Sequence, residues 1–118
     1  MIFGTPIELP EAMLQAYPEL RRVRVRRGGV PPRLGGLCLG QSTVAGITLW
    51  DTVFLAPDVP LDAGLLLHEL RHVQQFEADP LFPVRYIWES IRRGYRANRY
   101  ELDADAFVAT HHHPTSPP

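Results

Sequence analysis

The chain has a single cysteine, Cys38, and no lysine among its twelve basic residues. One cysteine cannot close an intrachain disulfide or build a cysteine-based zinc knuckle, so any metal site must be made from histidine and carboxylate. The all-arginine basic set reads as base composition, and no function attaches to it. No apolar run approaches the roughly 20 residues that span a bilayer. The N-terminus, Met1-Ile2-Phe3-Gly4-Thr5-Pro6, lacks the basic and long apolar regions of a secretory signal. The cytoplasm is therefore the default compartment, with signal-independent export left open. A formal charge of −1 gives no global attraction to nucleic acid or to an anionic membrane, and neither is expected as a partner. Internal repeats are absent as well.

What is present suits one ordinary globular domain. At 118 residues there is material for a single modest core, and the 45% apolar and 21% charged content fit a soluble chain. Pro10 opens a short helix that Pro18 stops. From Arg21 to Arg27 valines and arginines alternate, which predicts a strand with Val23 and Val25 inward. Its arginine face reads as the solvated side of an edge strand; as a nucleic-acid site it would want interleaved aromatics, and there are none. Residues 28–40 form a Gly- and Pro-rich loop, with Cys38 tucked against the core. Two β-prone runs, Ser42 to Leu49 and Thr52 to Ala56, flank Trp50-Asp51 and suggest a hairpin.

Asp62 then caps a helix running from about Ala63 to about Ala78. Val84, Ile87, Trp88, Ile91 and Tyr95 mark a following amphipathic helix, whose last turn Gly94 weakens. Asn98 can cap a final helix through Glu101 and Asp105, fading at His111-His112-His113 into a proline-rich end. The predicted architecture is α+β: one domain over residues 1–110, a small mixed sheet against the helices, and a mobile His/Pro-rich tail over 111–118.

The chemistry is concentrated in His68-Glu69-Leu70-Arg71-His72, an H-E-x-x-H motif on the Asp62-capped helix. Histidines four apart lie one above the other on a helical face, so both imidazoles can reach one ion, with glutamate beside them. Two histidines leave a site unfinished, because a catalytic zinc takes three protein ligands and keeps one position open. The third can be Glu101, which the intervening helix turns back over the motif, or one of His111, His112 and His113. Asp105, one turn after Glu101, can accept the ring N–H of a ligating histidine. Asp103, on the other face, should be dispensable.

These residues resemble the gluzincin metallopeptidases, in which H-E-x-x-H is completed by the glutamate of E-x-x-A-D on a later helix. Here the matches are His68-Glu69-x-x-His72 and Glu101-x-x-Ala104-Asp105. The small size, the upstream strands and Tyr95 before Asn98-x-Tyr100-Glu101 are similar to the minigluzincins, whose relatives include modules associated with toxins and contractile injection systems. The likeness covers roughly residues 5 to 108, most closely 65 to 76 and 98 to 106. Arg99 departs from it, standing where relatives often carry proline. The resemblance implies a zincin fold, Zn²⁺ held by His68, His72 and Glu101, Asp105 orienting a ligand, and Glu69 as general base in peptide hydrolysis by a zinc-activated water. Tyr95, with Tyr100 and His112 behind it, is the expected oxyanion donor, and a peptide or protein is the implied substrate. A catalytically silent zincin scaffold serving as a binding module is the competing expectation.

Overall fold

The computed structural model describes residues 4–28 and 46–112. Cys38, the 28–40 loop beyond Gly28, the Ser42 start of the first β run, His113 and the proline-rich end lie outside the described residues.

Strand β1 (Thr5–Ile7) leads into helix α1 (Glu11–Ala16), a 3-10 turn (Pro18–Arg22) and strand β2 (Arg24–Arg27). Proline at the first position of that turn sets φ for a tight helical turn, so the alternating segment becomes a strand only from Arg24. Strands β3 (Gly46–Leu49) and β4 (Thr52–Leu55) form the hairpin, with Trp50 at φ 56° in its two-residue turn. The sheet is mixed and ordered β1-β2-β4-β3: β2 pairs antiparallel with β1 and parallel with β4, and β3 pairs antiparallel with β4.

This order corrects the edge-strand reading of the arginines, because β2 is interior, paired on one side with β1 and on the other with β4. The arginines make contacts of their own: Arg22, just before β2, meets Glu77 at 2.6 Å, and Arg27 ties down the segment after β4 by donating to the carbonyls of Ala56 and Val59. Val23 and Val25 face inward, as the alternation predicts.

Helix α2 (Ala63–Ala78) begins where Asp62 accepts from Leu65 N–H at 2.9 Å. Leu66, Leu67, Leu70 and Val73 bury against Val25, Val53 and Leu55 of the sheet and Leu20 of the 3-10 turn, forming the main core. Helices α3 (Phe82–Arg93) and α4 (Arg99–His111) follow, and α4 packs along α2. Gly94 ends α3 at φ 80°, a conformation that a side chain would strain. The result is the α+β class with a small mixed sheet.

Helix α3 is turned differently from the stripe that reveals it in the sequence. Phe82, Tyr86 and Glu89 are the buried residues, while Val84, Ile87, Trp88 and Ile91 face solvent. Its inward face secures the start of α4. Asn98, fully buried, accepts from Tyr100 N–H at 2.8 Å and donates to the Tyr86 carbonyl and the Ser90 hydroxyl. Glu89 accepts from Arg99 N–H at 3.4 Å. Three of these contacts fix the helix that carries Glu101 to the helix that carries Tyr86.

Candidate metal centre

Along α2 the 3.6-residue period places His68 and His72 on the face turned toward α4, with their Nε2 atoms 3.2 Å apart. From α4, Glu101 brings Oε1 to 2.8 Å from His68 Nε2 and Oε2 to 3.1 Å from His72 Nε2. Three donor groups from two helices therefore converge on one point. The donor atoms of His68, Glu69 and His72 lie within 4.8 Å of one another, a His/Glu/His group that could hold a metal ion. Glu101 does not reach back to the Asn98 N–H as a capping box would; its carboxylate is committed to the histidines and to the Tyr86 hydroxyl.

Both outer ring nitrogens are also held. Asp105 Oδ1 stands 3.1 Å from His68 Nδ1, and Gln75 Oε1 stands 2.7 Å from His72 Nδ1. An acceptor at Nδ1 keeps the proton there and leaves the Nε2 lone pair directed inward. Gln75 is fixed in turn, its amide donating to Asp103 Oδ2 at 2.9 Å and to the Tyr100 carbonyl at 3.1 Å. Asp103 is clamped by Arg71 at 2.7 Å, and the Arg71 guanidinium lies over the Phe107 ring. Asp103, expected as a bystander on the other face, thus contacts the Gln75 that meets His72. The guanidinium holds the Asp103 carboxyl below its usual range.

Glu69 projects from the same turn beneath strand β3, 5% exposed, and Thr48 donates to its Oε1 at 2.8 Å. Gly46 brings the strand close: a Cβ there would stand 3.8 Å from Glu69 Cγ and 3.3 Å from the Phe54 carbonyl. A mostly apolar pocket opens beside Glu69, His72 and Glu101, walled by Ile47, Leu49, Phe82, Pro83 and Ile87.

The electrostatics follow from burial and proximity. Burial pushes the His72 imidazole down, but the Glu101 hydrogen bond and the Glu69 and Glu101 charges outweigh it and raise the pKa to about 9. For His68 the same opposition also ends upward. Burial pushes Glu101 up, and hydrogen bonds from His68 and His72 pull it well below the usual carboxylate range.

Of the expected tyrosines, Tyr95 lines the pocket, and burial with the Glu101 and Glu69 charges raises its phenol well above normal. Tyr100 turns its hydroxyl to Arg99 at 2.8 Å, away from the pocket. His111 closes α4, stacked on Phe107, and the ring contact of His112 is with Tyr17. Neither belongs to the His/Glu/His group. Sequence reasoning missed Thr48 and Gln75, and on α3 it missed Tyr86. The signal was the i, i+4, i+7 set Phe82, Tyr86 and Glu89, a second and more polar stripe on α3.

Fold and site together define a small α+β domain with a His/Glu/His cluster suited to a metal ion. Comparison with family models, with curated proteins and with solved structures returns no match.

Proposed function

We propose that the chain is a zinc-dependent metallopeptidase of the gluzincin type, with His68, His72 and Glu101 as ligands and Glu69 as general base. The observation that carries this reading is the convergence of the three donors at 2.8, 3.1 and 3.2 Å with both histidine Nδ1 atoms held from behind. Donors bound tetrahedrally to one zinc at its usual bond lengths stand about 3.3 Å apart, so the set fits with small adjustments. Two imidazoles and a carboxylate are also the ligand chemistry of hydrolytic zinc sites. When bound, the ion supplies Lewis acidity, lowering the pKa of a water and polarising a carbonyl.

The chain's own groups do the rest. Glu69 takes the proton from the attacking water and passes it to the leaving nitrogen. Thr48 holds that carboxylate in one rotamer. Tyr95, kept protonated by its surroundings, donates to the developing oxyanion. The edge of β3, unpaired among the described residues, pairs with an extended peptide, whose side chain enters the apolar pocket.

A zinc-held scaffold without peptidase activity is the second reading, favoured by the near-complete burial of Glu69 under Thr48. The test is metal analysis with peptide-library cleavage. The peptidase reading expects about one zinc per chain, lost in His68→Ala and Glu101→Ala, and cleavage lowered about a hundredfold in Glu69→Gln. Zinc undiminished in the ligand variants sinks the site assignment. Zinc without cleavage selects the scaffold.

A further inference from the structure

Helix α3 carries an apolar stripe that nothing among the described residues covers. Val84, Ile87, Trp88 and Ile91 recur at three, four and seven residues, and they are 67, 42, 57 and 72% exposed. Leu81, 55% exposed, extends the patch at the helix start. Isolated exposed apolar residues are ordinary, but a continuous stripe containing tryptophan and two isoleucines marks a surface that is covered in use.

Charge identifies the cover. Residues 80–99 include five arginines, Arg85, Arg92, Arg93, Arg96 and Arg99, all exposed, against one acid, Glu89, which is buried. Arg85 is paired with Asp79 and Arg93 with Glu89, whereas Arg92 and Arg96 have no ion-pair partner among the described residues. Arg85 and Arg92, seven apart, run along one flank of the stripe beside Trp88. A second copy laid stripe on stripe would bring two sets of arginines together with no facing acid, so self-association is disfavoured. A negatively charged planar surface with an apolar interior satisfies both the stripe and its flank. No described helix is long and apolar enough to cross a membrane, so the contact is with the surface.

We propose that α3 is an interfacial helix that seats the protein on an anionic lipid bilayer, with Val84, Ile87, Trp88 and Ile91 in the headgroup region and Arg92 and Arg96 on lipid phosphates. The inference stands without the metal reading. Pro83 and Ile87 also wall the pocket, so a seated α3 sets one wall of that pocket beside the bilayer.

The test is co-sedimentation of the full chain with vesicles of equal parts phosphatidylglycerol and phosphatidylcholine, and with phosphatidylcholine alone, at about 0.1 M and about 0.5 M salt. Binding is expected to the anionic vesicles, weakening at least about fivefold at the higher salt or on removal of the anionic lipid. Trp88→Ser with Ile91→Ser should weaken it at least about tenfold, and Arg92→Glu with Arg96→Glu about as much. All four side chains are exposed, so circular dichroism should show both double variants folded. In a Trp50→Phe background Trp88 is the only tryptophan, and its emission should shift to the blue with anionic vesicles. No binding to anionic vesicles at low salt, or binding unchanged by either double variant, overturns the proposal. Self-association abolished by Trp88→Ser with Ile91→Ser also overturns it, assigning the stripe to a second copy.

Discussion

Raising the pH of chelator-treated protein from 6.5 to 9 should lower its stability progressively, while zinc-loaded protein resists. Without an ion, the proton on His72 is held by the Glu101 carboxylate, and the imidazolium pKa rises from 6.5 to about 9 despite burial. A folded-state pKa above the unfolded one contributes stability that is complete below pH 6.5 and lost as pH climbs through about 9. A shift of that size corresponds to about 3 kcal/mol. For a domain of this length that is roughly 10 °C in Tm. Glu101 acts in the opposite direction: its depressed pKa contributes stability above pH 4.5 that is lost as pH falls below it. The chelated protein should therefore be most stable between about pH 4.5 and 6.5. Zinc binding requires both ring Nε2 atoms unprotonated, so the affinity of the site grows over the same rise in pH that weakens the chelated form. The measurement is a pair of thermal melts, with zinc and with chelator, at intervals between pH 6 and 9. The gap between the two Tm values should widen with pH, and Glu101→Gln should flatten the chelated curve. A chelated Tm that stays level or rises across this range would refute the argument.

Other perturbations separate the roles of the surrounding residues. Asp103→Ala or Gln75→Ala should weaken zinc binding about tenfold to a hundredfold in a chelator-competition titration, with the exposed neighbour Leu102→Ala as the unaffected control. Asp105→Ala should act similarly through His68, and unchanged affinity in all three would show that ring orientation does not limit binding. Asn98→Ala removes the cap of α4 and two further buried hydrogen bonds, so it should cost about 3 kcal/mol in chemical denaturation. Thr48→Val should leave zinc content unchanged and lower peptide cleavage about tenfold, and full cleavage would show that the hydroxyl does not position Glu69.

Much of the site was legible because its parts are local. H-E-x-x-H needs only the helical period to bring its side chains together, and Asp62 announces where that helix starts. Asn98 announces the next relevant helix in the same way, placing Glu101 and Asp105 one turn apart on it. What sequence could not give was the rotation of α4 against α2, which decides that Asp103 reaches Gln75 and Arg71. Long-range packing sets that rotation, and an Asp two residues after Glu101 carries no local mark of it. The interior place of β2 was hidden for the same reason. Alternation identifies a strand and its inward face, but its neighbours depend on a parallel pairing with β4 across a long connection.

Helix α3 shows why the usual rule about apolar faces fails here. Periodicity orients a helix by assuming that its most apolar stripe is buried, and on α3 that stripe is Val84, Ile87, Trp88 and Ile91. The buried stripe instead includes Tyr86 and Glu89, with Ser90 beside them, because the inward face has polar groups to satisfy. The Tyr86 hydroxyl meets Glu101, the Tyr86 carbonyl and Ser90 receive the Asn98 amide, and Glu89 receives the Arg99 N–H. If α3 turned its isoleucines inward, the buried Asn98 amide and Glu101 carboxylate would lose these partners, at about 1 to 3 kcal/mol for each group stranded. Holding the glutamate-bearing helix in place therefore decides which way α3 faces. The same rotation leaves its apolar side, with arginines along one flank, pointing away from the protein.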